Sequence, residues 1–188
     1  MSNEFLPQFK KYIASDPRLM RILRAAATLR LPDWFVGAGA VRNSLWDILE
    51  SFPEHTPLAD VDVVYFDPSV TAETREKEYE RELRRIDTEF PWSVKNQARM
   101  AAIYSDEPYQ NTCDGIGHWV ETATCVGVRL QPDGSLIVCV PFGVGDVMNR
   151  VARINPKWPR PRDFISRMQK KQWNRLWPGV RYLEPETG

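Results

Sequence analysis

The stretch ADVDVVYFD, residues 59–67, decides the fold and indicates the chemistry of this chain. Its β-branched and aromatic residues favour a strand. Because side chains alternate between the faces of a strand, Asp60 and Asp62 point the same way, about 6.6 Å apart along the backbone, while Val61 and Val63 point into the core. Two such carboxylates repel each other by roughly 4 kcal/mol at ~4 Å, for an effective dielectric constant near 20. A hard divalent cation such as Mg²⁺ would relieve that repulsion. Alone, the pattern also fits two solvated acids at a sheet edge.

A glycine turn upstream strengthens the metal interpretation. Gly37-Ala38-Gly39-Ala40 lies between a short apolar strand and a predicted helix. Backbone amides at such a helix start can bind phosphate, and Gly39 lets a triphosphate approach the backbone closely. Arg42, in the first turn of that helix, can neutralise phosphate charge. A glycine turn alone is more often structural, but strand, turn, helix and D-x-D strand in this order predict a combined metal and triphosphate site.

Hydrophobic periodicity predicts helices that surround a mixed sheet of four or five strands. The predicted helices are near residues 5–13, 17–31, 40–49, 71–90, 114–121, 145–151 and 163–176, and the predicted strands are 33–36, 59–66, 92–100, 124–130 and 135–140. Pro132-Asp133-Gly134 predicts a hairpin turn. The fold class is therefore α+β (α/β). We expect one domain over residues 1–188, with N-terminal helices over about 3–30 and a basic helical extension over about 150–188.

Composition excludes several classes of protein. Lys plus Arg and Asp plus Glu number 25 each, so overall charge favours no partner. No apolar run approaches the roughly 18 residues that a membrane helix needs, and the first residues lack the layout of a signal peptide. We therefore expect a cytoplasmic protein with no membrane partner. The 3 cysteines have no metal-like spacing, so we expect reduced thiols, even where paired strands bring Cys125 and Cys139 together.

The C-terminal stretch over residues 150–175 holds nine Lys or Arg and one acid, Asp163. Trp158, Trp173 and Trp177 are interleaved with these basic residues. Such a pattern can bind single-stranded nucleic acid through phosphate contacts and stacking. It also arises when a helix buries its tryptophans and the basic side chains extend over them, which we favour. RNA remains open as a partner.

The motifs together resemble a known superfamily. Residues 37–43, GAGAVRN, followed by DVD at 60–62, resemble the polymerase-β-like nucleotidyltransferases, and most closely the head domain of CCA-adding enzymes. The resemblance continues through residues 92–99 and 132–147. More narrowly, the chain looks like a bacterial family of stand-alone nucleotidyltransferase proteins, over roughly residues 20–180. The resemblance implies a polymerase-β-like fold.

The resemblance also implies roles for particular residues. Asp60 and Asp62 would be the catalytic residues and the ligands of Mg²⁺ or Mn²⁺. Four residues would bind the nucleotide: Ala38, Gly39, Arg42 and Lys95. The implied reaction transfers NMP from an NTP to a hydroxyl group of an RNA, a protein or a small molecule.

The chain departs from the family pattern at several positions. Ala38 replaces a usual glycine, and Asn43 stands where an acid is common. The acid–arginine signature that reads the incoming base has no counterpart, so selection of C and A is not expected. Glu121 or Asp146 could supply the third carboxylate of the superfamily. Two alternatives therefore stay open: a catalytically silent nucleotide-binding or regulatory module, and an RNA-interaction protein.

Overall fold

The computed structural model describes residues 4–105 and 107–183. Residue 3 of the predicted N-terminal helices and residues 184–188 of the predicted C-terminal extension lie outside the described residues. The elements along the chain are α1 (Leu6–Ser15), α2 (Pro17–Thr28), β1 (Phe35–Gly37), α3 (Ala38–Leu49), β2 (Val61–Tyr65), α4 (Glu73–Ile86), β3 (Trp92–Asn96), α5 (Gln97–Tyr104), α6 (Thr112–Ile116), β4 (Gly127–Leu130), β5 (Leu136–Cys139), α7 (Gly145–Met148), β6 (Val151–Arg153), α8 (Pro161–Lys171), α9 (Trp173–Leu176) and β7 (Arg181–Leu183). Among these helices, none is long and apolar enough to cross a membrane.

Five strands form one mixed sheet in the order β3-β2-β1-β4-β5. The pair β2–β3 is parallel and is connected through α4, whereas the other neighbouring pairs are antiparallel. The strands β4 and β5 form the predicted hairpin. The α+β prediction, with a small mixed sheet and flanking helices, is confirmed.

The two faces of this sheet have different surroundings. Val36, Val61 and Val63 are fully buried in the large core, which also includes the apolar sides of α2 and α3. On the opposite face, Phe35 and Val64 belong to a smaller cluster that contains residues of α6 and β5. Asp62 points to this second face, because it alternates with Val61 and Val63. The sheet face that is covered by the smaller cluster therefore carries Asp62.

The structure corrects the prediction that one strand runs from Trp92 to Met100. The strand β3 ends at Asn96, and α5 begins directly after it. The Asn96 side chain accepts a hydrogen bond from the amide of Ala98 at 3.1 Å and so caps the helix. The amide of Asn96 donates to the buried carboxylate of Glu76 at 2.9 Å. The segment predicted as one strand is therefore a strand followed by a helix that Asn96 caps.

The C-terminal extension also differs from the predicted continuous helix. The helix α8 ends at Lys171, the next residue Gln172 has the left-handed φ of 47°, and the short α9 follows. The extension also includes the parallel pair β6–β7. The rings of Trp173 and Trp177 lie 5.5 and 5.2 Å from the ring of Trp46 on α3. Both are buried and cannot stack on RNA bases, so the packing interpretation holds for them.

The expectation of three reduced thiols is wrong. Cys113 and Cys139 form a disulfide whose Cα atoms are 5.6 Å apart. It joins the start of α6 to the end of β5 across 26 residues, a tertiary contact that the spacing of the cysteines does not reveal. Cys125, in the same small cluster, keeps a free thiol, and burial raises its pKa.

Candidate active site

Strand register brings the glycine turn to the acidic pair. Gly37 of β1 pairs with Asp62 of β2 in the antiparallel register. The chain then turns into α3, so Gly39 comes close to Asp60, which directly precedes β2. A Cβ atom on Gly39 would lie 3.8 Å from Asp60 Oδ1 and 3.9 Å from Arg42 Nη2. The acids and two of the residues predicted to bind the nucleotide therefore meet at one end of the sheet.

The backbone of the turn is tightly constrained. A Cβ atom on Gly37 would lie 2.8 Å from the Trp119 ring and 2.9 Å from the carbonyl oxygen of Val126, so only glycine fits there without a shift. Ala38 adopts φ of 50°, a left-handed conformation that glycine would adopt more easily. The amide of Ala38 donates to the carbonyl oxygen of Val126 at 3.3 Å, and α3 starts at this residue, so the first turn of α3 presents its following amides as a helix start that can bind phosphate.

Asp62 is held at an electrostatic cost. Its side chain is half-buried, and its pKa is raised to about 6, first by loss of solvent and next by the charge of Asp60. A hydrogen bond from Ser93, its register partner on β3, and the charges of Lys95 and Arg167 oppose that rise. At neutral pH this carboxylate is therefore mostly ionised next to a second acid, which is the environment that a bound cation relieves.

The two carboxylates fit a hard divalent ion whose remaining ligands are water molecules or substrate oxygens. Within residues 4–105 and 107–183, no group of three or more His, Cys, Asp or Glu side chains could hold a metal ion. Mg²⁺ does not need such a cage, since it commonly binds one or two carboxylates together with substrate phosphates and water. Asp60 is exposed and Asp62 half-buried, so both carboxylates are accessible to such an ion.

Lys95 and Arg42, the two basic side chains predicted to bind the nucleotide, lie in different places. Lys95 lines a cleft together with Asp62, and its Nζ lies 3.7 Å from Glu76 Oε2. Arg42 is buried behind the turn and donates to Thr124 Oγ1 at 2.8 Å, with its guanidinium 4.0 Å from the centre of the Trp173 ring. Burial lowers the pKa of Arg42 to about 10, so it stays charged at neutral pH. Arg42 is thus a fixed positive charge beside the turn.

The cleft measures about 330 Å³ and contains two charged residues that sequence analysis did not place together. Glu121 is fully buried, and its Oε1 accepts a hydrogen bond from Arg167 Nε. No described atom donates to Glu121 Oε2. Of the two candidate third carboxylates, only Glu121 lines this cleft, whereas Asp146 accepts a hydrogen bond from Thr122 Oγ1 at 2.6 Å.

Five aromatic side chains also line the cleft. Tyr104, Tyr109, His118, Trp119 and Trp158 all line it. The His118 ring stacks on Tyr109 with centroids 4.5 Å apart and contacts Trp158 edge-on at 5.6 Å. His118 therefore packs between aromatic rings and also lines the cleft. Of Trp158, Trp173 and Trp177, only Trp158 is partly exposed.

Comparisons with known proteins agree with this fold. A family model described as nucleotidyltransferase matches residues 24–182. An NMR structure described as revealing a CCA-adding enzyme head domain matches with a TM-score of 0.82 at 27% identity, over 95% of this chain and 96% of that one. A Thermotoga maritima CCA-adding enzyme complexed with tRNA matches with a TM-score of 0.55 at 16% identity, over 93% of this chain but 42% of its own. A CCA-adding enzyme complexed with CTP matches with 0.55 at 14% identity, over 91% and 41%. No curated protein matches.

Proposed function

This chain belongs to the nucleotidyltransferase family, and from that premise we propose that it transfers a nucleoside monophosphate from an NTP to a hydroxyl acceptor, with Asp60 and Asp62 as ligands of Mg²⁺ or Mn²⁺. The pairing of Gly37 with Asp62 is the observation that carries the proposal, because it brings a phosphate-binding turn beside two carboxylates. A cytoplasmic location, where NTPs are available, belongs to the same proposal.

In the proposed reaction the acceptor oxygen attacks the α-phosphorus, the bond from that phosphorus to the α–β bridging oxygen breaks, and pyrophosphate leaves. The hydroxyl proton passes to solvent. A bound divalent ion would supply charge neutralisation at the phosphates. The chain itself contributes positioning: the turn at Ala38 and Gly39 receives the phosphates, with the fixed charge of Arg42 behind it and Lys95 in the cleft.

The family does not identify the acceptor. CCA-adding enzymes of the same fold are described in complex with CTP, ATP and tRNA, which supports an NTP as the donor and makes RNA one acceptor class to test. Their identities of 14 to 16% support the fold alone, and this chain spans 41 to 42% of their length. RNA, protein and small molecules are therefore tested side by side.

The deciding experiment follows label transfer and pyrophosphate release. Purified protein is incubated with each α-labelled NTP, Mg²⁺ and the RNA, protein or small-molecule fraction of a lysate. We expect label transfer with one fraction, and its loss in the double variant Asp60→Asn, Asp62→Asn. The control is Asp133→Asn, the same change at the exposed hairpin turn. Unchanged transfer in the double variant would refute the proposed roles, and metal-dependent NTP binding without transfer would favour the silent module.

A further inference from the structure

The aromatic lining of the cleft has the composition of a base-binding slot. Tyr104, at the end of α5, lines the cleft yet is 56% exposed. The ring of a tyrosine offers a large apolar face and a polar tip, which suits contact with a flat ligand. Its neighbour Ile103 is 54% exposed but does not line the cleft, which supplies an internal comparison.

The segment before α8 supplies further lining of the cleft. The Arg160 guanidinium lies 4.5 Å from the centre of the Trp158 ring, and both residues line the cleft with Tyr104. Trp158 is braced by its edge-on contact with His118. The segment is anchored by buried Asn155, whose side chain donates to the carbonyl oxygens of Gly117 and Trp119 at 2.8 and 2.6 Å. A braced arginine–tryptophan stack thus shares the cleft with an exposed tyrosine.

We propose that Tyr104 and the Arg160–Trp158 stack form a slot for the nucleobase of the incoming NTP. This inference rests on the proposed function and goes beyond it by assigning the subsite for the ring. The same cleft contains Asp62 and Lys95, so a triphosphate bound there extends its nucleoside along the cleft. A volume of about 330 Å³ suits one nucleotide, at the lower end of small-ligand sites. Stacking on aromatic and guanidinium groups tolerates all bases, so the slot needs no base-reading signature.

The test compares two probes, both with Mg²⁺ in calorimetry: inorganic tripolyphosphate, and α,β-methylene ATP, which cannot transfer its nucleotidyl group. In the wild type the nucleotide binds more tightly by roughly fivefold to a hundredfold, the range expected for one stacked base. Tyr104→Ala or Trp158→Ala removes most of this ratio of nucleotide affinity to tripolyphosphate affinity, and leaves the tripolyphosphate affinity itself unchanged. Tyr104→Phe keeps the ratio, as does the control Ile103→Ala.

Three results would overturn the slot. One is an unchanged ratio in Tyr104→Ala and Trp158→Ala. Another is an equal loss of affinity for both probes. The third is Tyr104-dependent binding of adenosine to protein that is already saturated with the nucleotide. Tyr104 would then contact the acceptor and not the base of the NTP.

Failure of the proposed function has a different signature. In that case tripolyphosphate binding does not depend on Asp60 and Asp62. Saturation-transfer NMR with adenosine alone then decides the slot: binding that requires Tyr104 supports it, and no such binding overturns it.

Discussion

Replacing Asp62 with asparagine is expected to stabilise the metal-free protein at neutral pH, although it removes a proposed catalytic group. The pKa of Asp62 rises from an ordinary 3.8 to about 6 in the folded chain. Each tenfold change in proton affinity corresponds to about 1.4 kcal/mol, so ionised Asp62 costs up to ~3 kcal/mol of unfolding free energy. An asparagine side chain at this position would carry no charge to desolvate, and we expect a gain of about 2 kcal/mol at pH 7 for Asp62→Asn.

The sign of the pH dependence follows from tighter proton binding in the folded state. The favourable contribution of protonated Asp62 is fully present below pH 3.8 and is lost as the pH rises through about 6. The advantage of Asp62→Asn should therefore be near zero at pH 4 and reach its full size by pH 7. Urea unfolding in EDTA, followed by tryptophan fluorescence, measures it, with Asp133→Asn as the control. A variant no more stable than wild type at pH 7, or equally favoured at pH 4, would refute the reasoning.

Divalent ions should reverse this ranking. A cation bound at Asp60 and Asp62 stabilises the folded state by mass action, and the variant lacks one of the two ligands. Titration with Mg²⁺ at pH 7 is therefore expected to raise the unfolding free energy of the wild type and to leave Asp62→Asn nearly unchanged. An equal response of both proteins would place the ion elsewhere.

Three further changes have distinct expected outcomes. Gly37→Ala should cost about 1–3 kcal/mol in urea unfolding, because its Cβ would lie 2.9 Å from a carbonyl oxygen, whereas Gly39→Ala should fold normally and weaken NTP binding in calorimetry. Glu76→Gln should cost about 3 kcal/mol by the same unfolding assay, since this fully buried carboxylate accepts from a backbone amide and a guanidinium. Reduction of Cys113–Cys139, which closes 26 residues, should lower the unfolding free energy by about 3.5 kcal/mol, and a double serine variant should not respond to reductant.

The sequence predicts best where one local pattern determines the outcome. Alternation in residues 59–67 predicts that Asp62 and Val63 face opposite sides, and the structure agrees. The hairpin around Asp133 follows equally from local turn chemistry. The order of strand, glycine turn, helix and D-x-D strand predicts that the two segments form one site, but the pairing of Gly37 with Asp62 needs a register that neither strand encodes alone.

Contacts between distant residues could not be predicted in this way. Glu121 and Arg167 are 46 residues apart, and neither residue's neighbours indicate that they meet in the cleft. The helix after Asn96 was missed because its cap is an asparagine that also fits a polar strand. The disulfide was missed because cysteine spacing carries no information about the approach of α6 to β5.

The packing of the C-terminal Trp173 and Trp177 against α3 has a consequence for how the protein is made. Trp177 Nε1 donates a hydrogen bond to Asp47 Oδ1 at 2.7 Å across 130 residues of chain. At about 5–20 residues per second, a ribosome would need roughly 6–26 s between these two positions. During translation the helix behind the glycine turn therefore stays partly uncovered until the last stretch emerges. A nascent chain can carry both acids and the turn for most of its synthesis and still lack the support that holds them in place.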